Sequence, residues 1–420
     1  MDKFVINGNK KLKGIVEISG SKNAALPILI AGLLIEKGET VIKNIPNLAD
    51  IDTALNVLKH LGVKSVWDKK AHQVCLDASN LDNYEAPYDL VRKMRASFLV
   101  MGPLLARLGK ARVSLPGGCV LGPRPVNYHL KAFAALGAEI VDEGGYVSAF
   151  SKKLQGGLIY FDKPSHTGTE NVIMAACLAE GKTTIVNAAC DPEVVDVARF
   201  LNKAGAKIAG AGNTVIEIKG VSKLKPVEYS VMPDRLEAGT FMMAAAATGS
   251  QIKIKPKCET YLEMVIAKMK DAGSRFAYEA DGLTVSHEKP LNAIDITTFP
   301  YPGFPTDLQA SAMAMCCVAE GISHIQETVF TDRFTHVMEL MRLGADIKIS
   351  GQEAAITGVK NLHGTSVMAS DIRAGAGLVV AALAASGKSE ILRIYHIDRG
   401  YESIEVKLQE LGADISRVKT

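Results

Sequence analysis

One pattern recurs six times along the chain and limits what it can fold into. An alanine-rich apolar stretch runs into a glycine, a β-branched stretch follows, and a second helical stretch runs into another glycine. The first glycine closes LLIEKG, LLARLG, CLAEG, AAATG, CVAEG and LAASG, at Gly38, Gly109, Gly181, Gly249, Gly321 and Gly387. The second closes LKHLG, FAALG, LNKAG, MKDAG, MRLG and LQELG, at Gly62, Gly137, Gly205, Gly273, Gly344 and Gly412. At both places glycine predicts a helix that ends on a left-handed residue, a conformation in which a Cβ would clash. First glycines follow one another at 66 to 72 residues, longer than the common solenoid repeats. Two domains of three units each is the division expected, and 420 residues also favour more than one core.

Between the glycines, strands are expected at Thr183–Asn187 and Ser389–Ile394. Neither helix of a unit shows a clear polar stripe, and Ala369–Ala385 is apolar nearly all round, which predicts burial. Buried helices with sheets outside them follow from that. The Pro- and Lys-containing segment Gly220–Arg235, between the third and fourth units, reads as a crossover between domains.

Hydrophobic residues make up 48% of the chain and aromatics only 6%, so the core must be aliphatic. With 48 Lys and Arg against 45 Asp and Glu, there is no basic excess of the kind a general nucleic-acid binder shows. The longest apolar runs, around Thr240–Ala247 and Ala374–Ala385, are too short to span a bilayer, and the start carries no apolar signal stretch. Seven cysteines without a C-x-x-C pair fit reduced thiols in the cytoplasm and argue against a structural zinc site.

Chemistry is expected where loops lead into buried helices, because helix N-termini collect anions. SGSKNAALP (Ser19–Pro27) sets Lys22 and Asn23 at such a start, although N-capping with a solvated lysine explains it equally well. VRKMRAS places Arg95 at the head of a helix expected over Ala96–Leu108, where a wet helix face is the plainer reading. FPTDLQAS sets Asp307 after two prolines, either as an N-cap or as a carboxylate able to take a proton from a hydroxyl. SDIRAGAG puts Arg373 before an apolar helix, a place for an arginine that meets an anion. Arg333 in FTDRFTH and Arg399 in HIDRGYE lie in short polar turns. Several such guanidinium forks suit a small, densely anionic substrate. In SLPGGCVLGPRPVNYH (Ser114–His129), three prolines and three glycines exclude regular structure. Cys119 sits in that loop five residues before Arg124, and a thiol near cations is more reactive. The chain carries no Walker loop, dinucleotide fingerprint, H-E-x-x-H or nucleophile-elbow serine.

Taken together, SGSKNAALPIL, YDLVRKMRAS, LPGGCVLGPRPV, FPTDLQA, TDRFTHV, SDIRAGAGLVVAAL and YHIDRGYE resemble the UDP-N-acetylglucosamine 1-carboxyvinyltransferase family. The resemblance runs the length of the chain. It implies a two-domain inside-out α/β barrel, with a first domain over 21–229 and a discontinuous second domain over 1–20 and 230–420, and an active site in the cleft between them. It implies a cytoplasmic, monomeric enzyme of cell-wall synthesis that takes phosphoenolpyruvate and UDP-N-acetylglucosamine and needs neither metal nor organic cofactor.

Carried onto this sequence, Cys119 matches the cysteine that protonates phosphoenolpyruvate, and Asp307 the carboxylate that takes the sugar hydroxyl's proton. Lys22, Arg124 and Arg399 match phosphate-binding cations; Arg333 and Arg373 match groups handling the carboxylate and the charged intermediate. Asn23, Arg95, Pro125, Val126, Asn127, Tyr128, Lys163, Ser165, His166 and Val329 fall where the family holds the nucleotide sugar. Two departures stand out: PSHTGTENV follows Lys163 where small apolar residues are common, and Asn127 replaces a common aspartate. His166 is expected to contact the uridine and to make binding pH-sensitive near neutrality. An altered nucleotide-sugar acceptor, or the related 3-phosphoshikimate 1-carboxyvinyltransferase activity, remain alternatives.

Overall fold

The structure, a computed structural model, describes residues 2–92, 94–115, 126–288 and 290–419. They form two compact units, one of the residues up to Ser19 and from Pro233 onward, the other between Gly20 and Met232. No helix among the described residues is long and apolar enough to cross a membrane.

The six repeats appear as six four-stranded sheets with one strand order. In each, an edge strand runs parallel to the strand after the first glycine, which pairs antiparallel with a third strand, itself antiparallel to the strand after the second glycine. Leu158–Tyr160, Lys182–Val186, Val215–Lys219 and Lys207–Ala209 show the pattern. Alternation does the sorting: Ile216 and Ile218 of Val215–Lys219 are buried while Glu217 faces out. Two sheets are completed from far along the chain. Lys3–Asn7 lies antiparallel between Lys388–Leu392 and Asp414–Val418, and Lys13–Glu17 runs parallel to Gln251–Lys255.

In the unit holding Pro233 onward, the helices Arg235–Ala247, Gln309–Cys316 and Ile372–Ala384 pack on one another. Every described residue of the first two is buried, and every residue of the third from Arg373 on. Small residues permit this: a Cβ on Gly377 would come within 2.7 Å of the Ala310 carbonyl oxygen. In the other unit, Met101–Leu108 packs on His166–Ala176, and Gly102 N–H donates to Asn171 Oδ1 at 2.9 Å.

The second helix of a unit differs from expectation. Ala49–His60 buries Ile51, Ala54, Leu55, Val57 and Leu58 and exposes Asp52, Asn56, Lys59 and His60, so a polar stripe is present.

All twelve repeat glycines have positive φ, but the two sets do different work. The second set ends helices as expected. After Ala49–His60, Gly62 N–H bonds to the Lys59 carbonyl and Val63 N–H to the Leu58 carbonyl, and the same pair of bonds closes the helices before Gly137, Gly205, Gly273, Gly344 and Gly412. Of the first set, only Gly109 and Gly249 close a helix. Gly38, Gly181, Gly321 and Gly387 lie beyond the helix, at the turn into the next strand. Spacing alone cannot separate these two uses, because both require the same left-handed residue.

The helix-ending glycines yield a graded test. A Cβ on Gly205 (φ 106°) would meet nothing within 4 Å, whereas one on Gly62 (φ 97°) would sit 2.4 Å from the Asn80 carbonyl oxygen. Gly205→Ala should therefore cost only the left-handed strain, about 1–2 kcal/mol, and Gly62→Ala distinctly more, read from urea-unfolding midpoints. Equal losses would show that the backbone, not the space, decides both.

Candidate active site

The residues from Pro233 onward bring together three of the expected side chains. Asp307 lies in the 3-10 turn Thr306–Leu308 that leads into Gln309–Cys316. Its Oδ1 accepts from Arg333 Nη2 at 2.8 Å and its Oδ2 from Arg373 Nε at 3.1 Å. The arginine side chains are 5% and 6% exposed and the aspartate 28%, so the carboxylate is the opening of the cluster. Asp307 is no N-cap: no side-chain cap bond closes the turn or the helix after it.

Arg373 is held tightly. Asp371 caps Ile372–Ala384 by accepting from Arg373 N–H and Ala374 N–H. Burial works against the Arg373 charge, but Tyr401 and Asp307 more than restore it and hold its pKa above the ordinary arginine value. Tyr401, fully buried, shares a 2.9 Å bond with Thr240 Oγ1. Arg333 Nη1 and Arg373 Nη1 are buried and have no hydrogen-bond partner among the described residues. A fork spending one arm on Asp307 and keeping the other unspent fits a second acceptor such as a carboxylate or phosphate oxygen. Arg399 ends the 3-10 helix Ile394–Arg399 and is half-buried, as is Val329.

The unit from Gly20 to Met232 supplies a second group. Ser21 caps Lys22–Ala31 by accepting from Ala24 N–H, so the capping reading holds, but Lys22 is not solvated. It is 8% exposed, with Nζ 3.5 Å from Asp50 Oδ2. A buried cation at the positive end of a helix opposes the dipole and needs a nearby anion. Asn23 beside it is half-buried.

Arg95 opens the 3-10 helix Arg95–Val100, which runs into Met101–Leu108 where one α-helix was expected. His129 is pushed down to about 3 by burial and the Arg95 charge, so its imidazole is neutral. Asn171 Nδ2 donates to Nδ1 at 3.0 Å, which leaves Nε2–H to donate to Thr167 Oγ1 at 3.4 Å. Val126 is buried, Asn127 exposed at the start of Asn127–Ala135, and the Tyr128 ring meets Phe161 edge-on at 6.0 Å. Cys119, Arg124 and Pro125 lie outside the described residues.

Lys163 is exposed, and Ser165 caps His166–Ala176 by accepting from Gly168 N–H. His166 does not stand as expected. Its Nε2 meets Glu170 Oε1 at 3.1 Å and its Nδ1 lies 3.8 Å from Asp191 Oδ1. Burial pulls the imidazolium down, but Glu170, Asp191 and Glu193 outweigh it and hold it at about 10. It therefore stays charged between pH 6 and 8, and the expected pH sensitivity near neutrality loses its basis. Among the described residues, His166, Asp191 and Glu193 are the group whose donor atoms, all within 4.8 Å, could share a cation; the imidazolium already supplies that charge.

Sequence reasoning missed Asp50, Asp371, His129, Tyr401 and the wholly buried Glu327. Glu170, four residues after His166 on one helix face, was the one partner with a readable signal.

Comparisons with known proteins give the family. The family described as EPSP synthase (3-phosphoshikimate 1-carboxyvinyltransferase) matches residues 6–408. Proteins named UDP-N-acetylglucosamine 1-carboxyvinyltransferase from Geobacter metallireducens and Desulfatibacillum aliphaticivorans are 54% and 51% identical over 419 residues, covering all of each chain. The crystal structure of the enolpyruvyl transferase NikO from Streptomyces tendae superposes with a TM-score of 0.90 at 25% identity, over 100% of this chain and 99% of that one. EPSP synthase from Acinetobacter baumannii, at 20% identity and a TM-score of 0.78 over all of both chains, shares the fold. Matched in this way along its whole length, the chain belongs to the EPSP synthase family of enolpyruvyl transferases, among those named UDP-N-acetylglucosamine 1-carboxyvinyltransferase.

Proposed function

We propose that the chain transfers the enolpyruvyl group of phosphoenolpyruvate to a hydroxyl of UDP-N-acetylglucosamine and releases phosphate, the first committed step of peptidoglycan synthesis. The observation that carries this reading is Asp307 gripped by Arg333 and Arg373, each with one buried N–H unspent. A base set between two anion-binding forks is what addition of an alcohol to an anionic enol ether requires. The names of relatives more than half identical supply the acceptor.

In this reading Cys119 gives its proton to the methylene carbon of phosphoenolpyruvate, leaving the adjacent carbon electron-poor. The sugar hydroxyl adds there and passes its proton to Asp307. The Cys119 thiolate then takes a proton back from the new methyl group, the carbon–oxygen bond to phosphate breaks, and the double bond returns. Lys22, Arg124 and Arg399 bind the phosphate as it departs, and Arg333 and Arg373 hold the carboxylate. Asn23, Arg95, Pro125, Val126, Asn127, Tyr128, Lys163, Ser165, His166 and Val329 contact the nucleotide sugar. His166 does so through its ring face or backbone, since its nitrogens face acids. The protein acts in the cytoplasm as a monomer on two small molecules, with no metal or organic cofactor.

Phosphate should appear from phosphoenolpyruvate only when UDP-N-acetylglucosamine is added. Release with shikimate 3-phosphate instead would overturn the acceptor, and release with neither the whole reading.

Asp307→Asn should lose turnover at least about a hundredfold, the scale of a missing general base, while anion binding is kept, because both arginines stay in place. Near wild-type turnover would reduce Asp307 to an ion-pair partner.

An epoxide phosphonate such as fosfomycin should add once, at Cys119, as read by intact mass. Five of the six other thiols are poor competitors: burial pushes Cys177 and Cys258 up to about 12 and Cys316 to about 11, and raises Cys317 and Cys190 as well. An adduct that persists in Cys119→Ser would place the reactive thiol elsewhere.

A further inference from the structure

Glu327 follows the strand Ile322–Gln326 and is 0% exposed. Among the described residues no Lys, Arg or His pairs with its carboxylate. Its four bonds come from neutral groups instead. Oε1 accepts from Thr298 Oγ1 at 2.9 Å, Val329 N–H at 2.9 Å and Phe330 N–H at 3.1 Å. Oε2 accepts from Thr306 Oγ1 at 2.8 Å.

Those partners lead back to the cluster by two routes. Thr306 precedes Asp307 in the same 3-10 turn. The Phe330 ring lies under the Arg333 guanidinium, 5.2 Å from its centroid, and Arg333 bonds Asp307. The circuit Glu327–Thr306–Asp307–Arg333–Phe330 therefore closes on itself. A buried carboxylate without a cation is costly, and apolar residues of similar size are commonly as stable or more so. What an apolar residue could not do is hold two loops by four directed bonds.

We propose that Glu327 is a positioning residue that sets the Asp307 turn and the Arg333 loop relative to each other. This rests on the reading of Asp307 as the base that receives the acceptor's proton. Displacing a reacting group by about 1 Å costs up to a hundredfold in rate, so the effect should fall on kcat more than on KM.

The test compares Glu327→Ala, Glu327→Gln and Thr306→Val with wild type in steady-state phosphate release, together with thermal melts and crystal structures of the variants. Glu327→Ala should lower kcat at least about tenfold, leave KM for the nucleotide sugar within about threefold, and displace Asp307 from Arg333 in the crystal. Glu327→Gln should recover most of the rate. Its carbonyl can replace Oε1 toward all three donors, and its NH2 can donate to the Thr306 hydroxyl, reversing that bond. A folded Glu327→Ala enzyme with kcat within twofold of wild type overturns the proposal, as does a Gln variant as impaired as Ala. If Glu327→Ala does not fold, Thr306→Val cuts the one strut to the Asp307 turn; it should reduce kcat by about the same factor, and unchanged kcat overturns the assignment. If wild type itself releases no phosphate, the enolpyruvyl reading fails. Glu327 is then judged on the crystal structure alone, where an undisturbed Asp307–Arg333 contact counts against it.

Discussion

A helix sheathed on every side by apolar side chains has only its ends to offer to water or to a ligand. That constraint governs both units. Arg235–Ala247, Gln309–Cys316 and Ile372–Ala384 are buried along nearly their whole length, so polar residues concentrate at their first turns. Asp234 and Asp371 cap two of them, and Ser21 and Ser165 cap Lys22–Ala31 and His166–Ala176. The helix dipole favours negative charge at these ends.

The cations then placed at the same ends work against folding. Lys22 and Arg373 each set a positive charge on the positive end of a helix, nearly out of water. Lys22 lies against Asp50 and Arg373 against Asp307, with Asp234 also favouring the Arg373 charge. Burying such pairs is no economical route to stability, since apolar residues of similar size commonly do as well. Cations at these helix ends are intelligible once an anionic substrate is to be held there.

The sixfold order was legible because a left-handed turn excludes nearly every residue but glycine, so backbone geometry writes itself into composition. Lys22, Asp307 and Arg373 were legible for a related reason: each stands at a break before an apolar run. The rest depended on partners far away in the chain. Nothing near Glu327 in HIQETVF distinguishes a buried carboxylate from an exposed one, and its bond to Thr306 exists only in the folded unit. The charge on His166 was not legible because Asp191 and Glu193, distant from it in sequence, join Glu170 around its ring. The completion of two sheets by Lys3–Asn7 and Lys13–Glu17 was likewise implied only by resemblance, since short alternating strands carry no signal of which distant strand they join.

The unspent N–H groups of Arg333 and Arg373 show how stability and function are divided in this protein. A buried polar group without a partner costs about 1–3 kcal/mol, and more when it is charged. Asp307 accepts from Arg333 Nη2 and Arg373 Nε, on the other side of each fork's unspent arm. Asp371 caps the helix that carries Arg373, and Phe330, itself tied to Glu327, lies under the Arg333 guanidinium. Both forks are thus held in place by backbone bonds that do not depend on ligand. An arriving anion meets donors already desolvated and aimed, which is what makes a preorganised site bind and catalyse without rearranging.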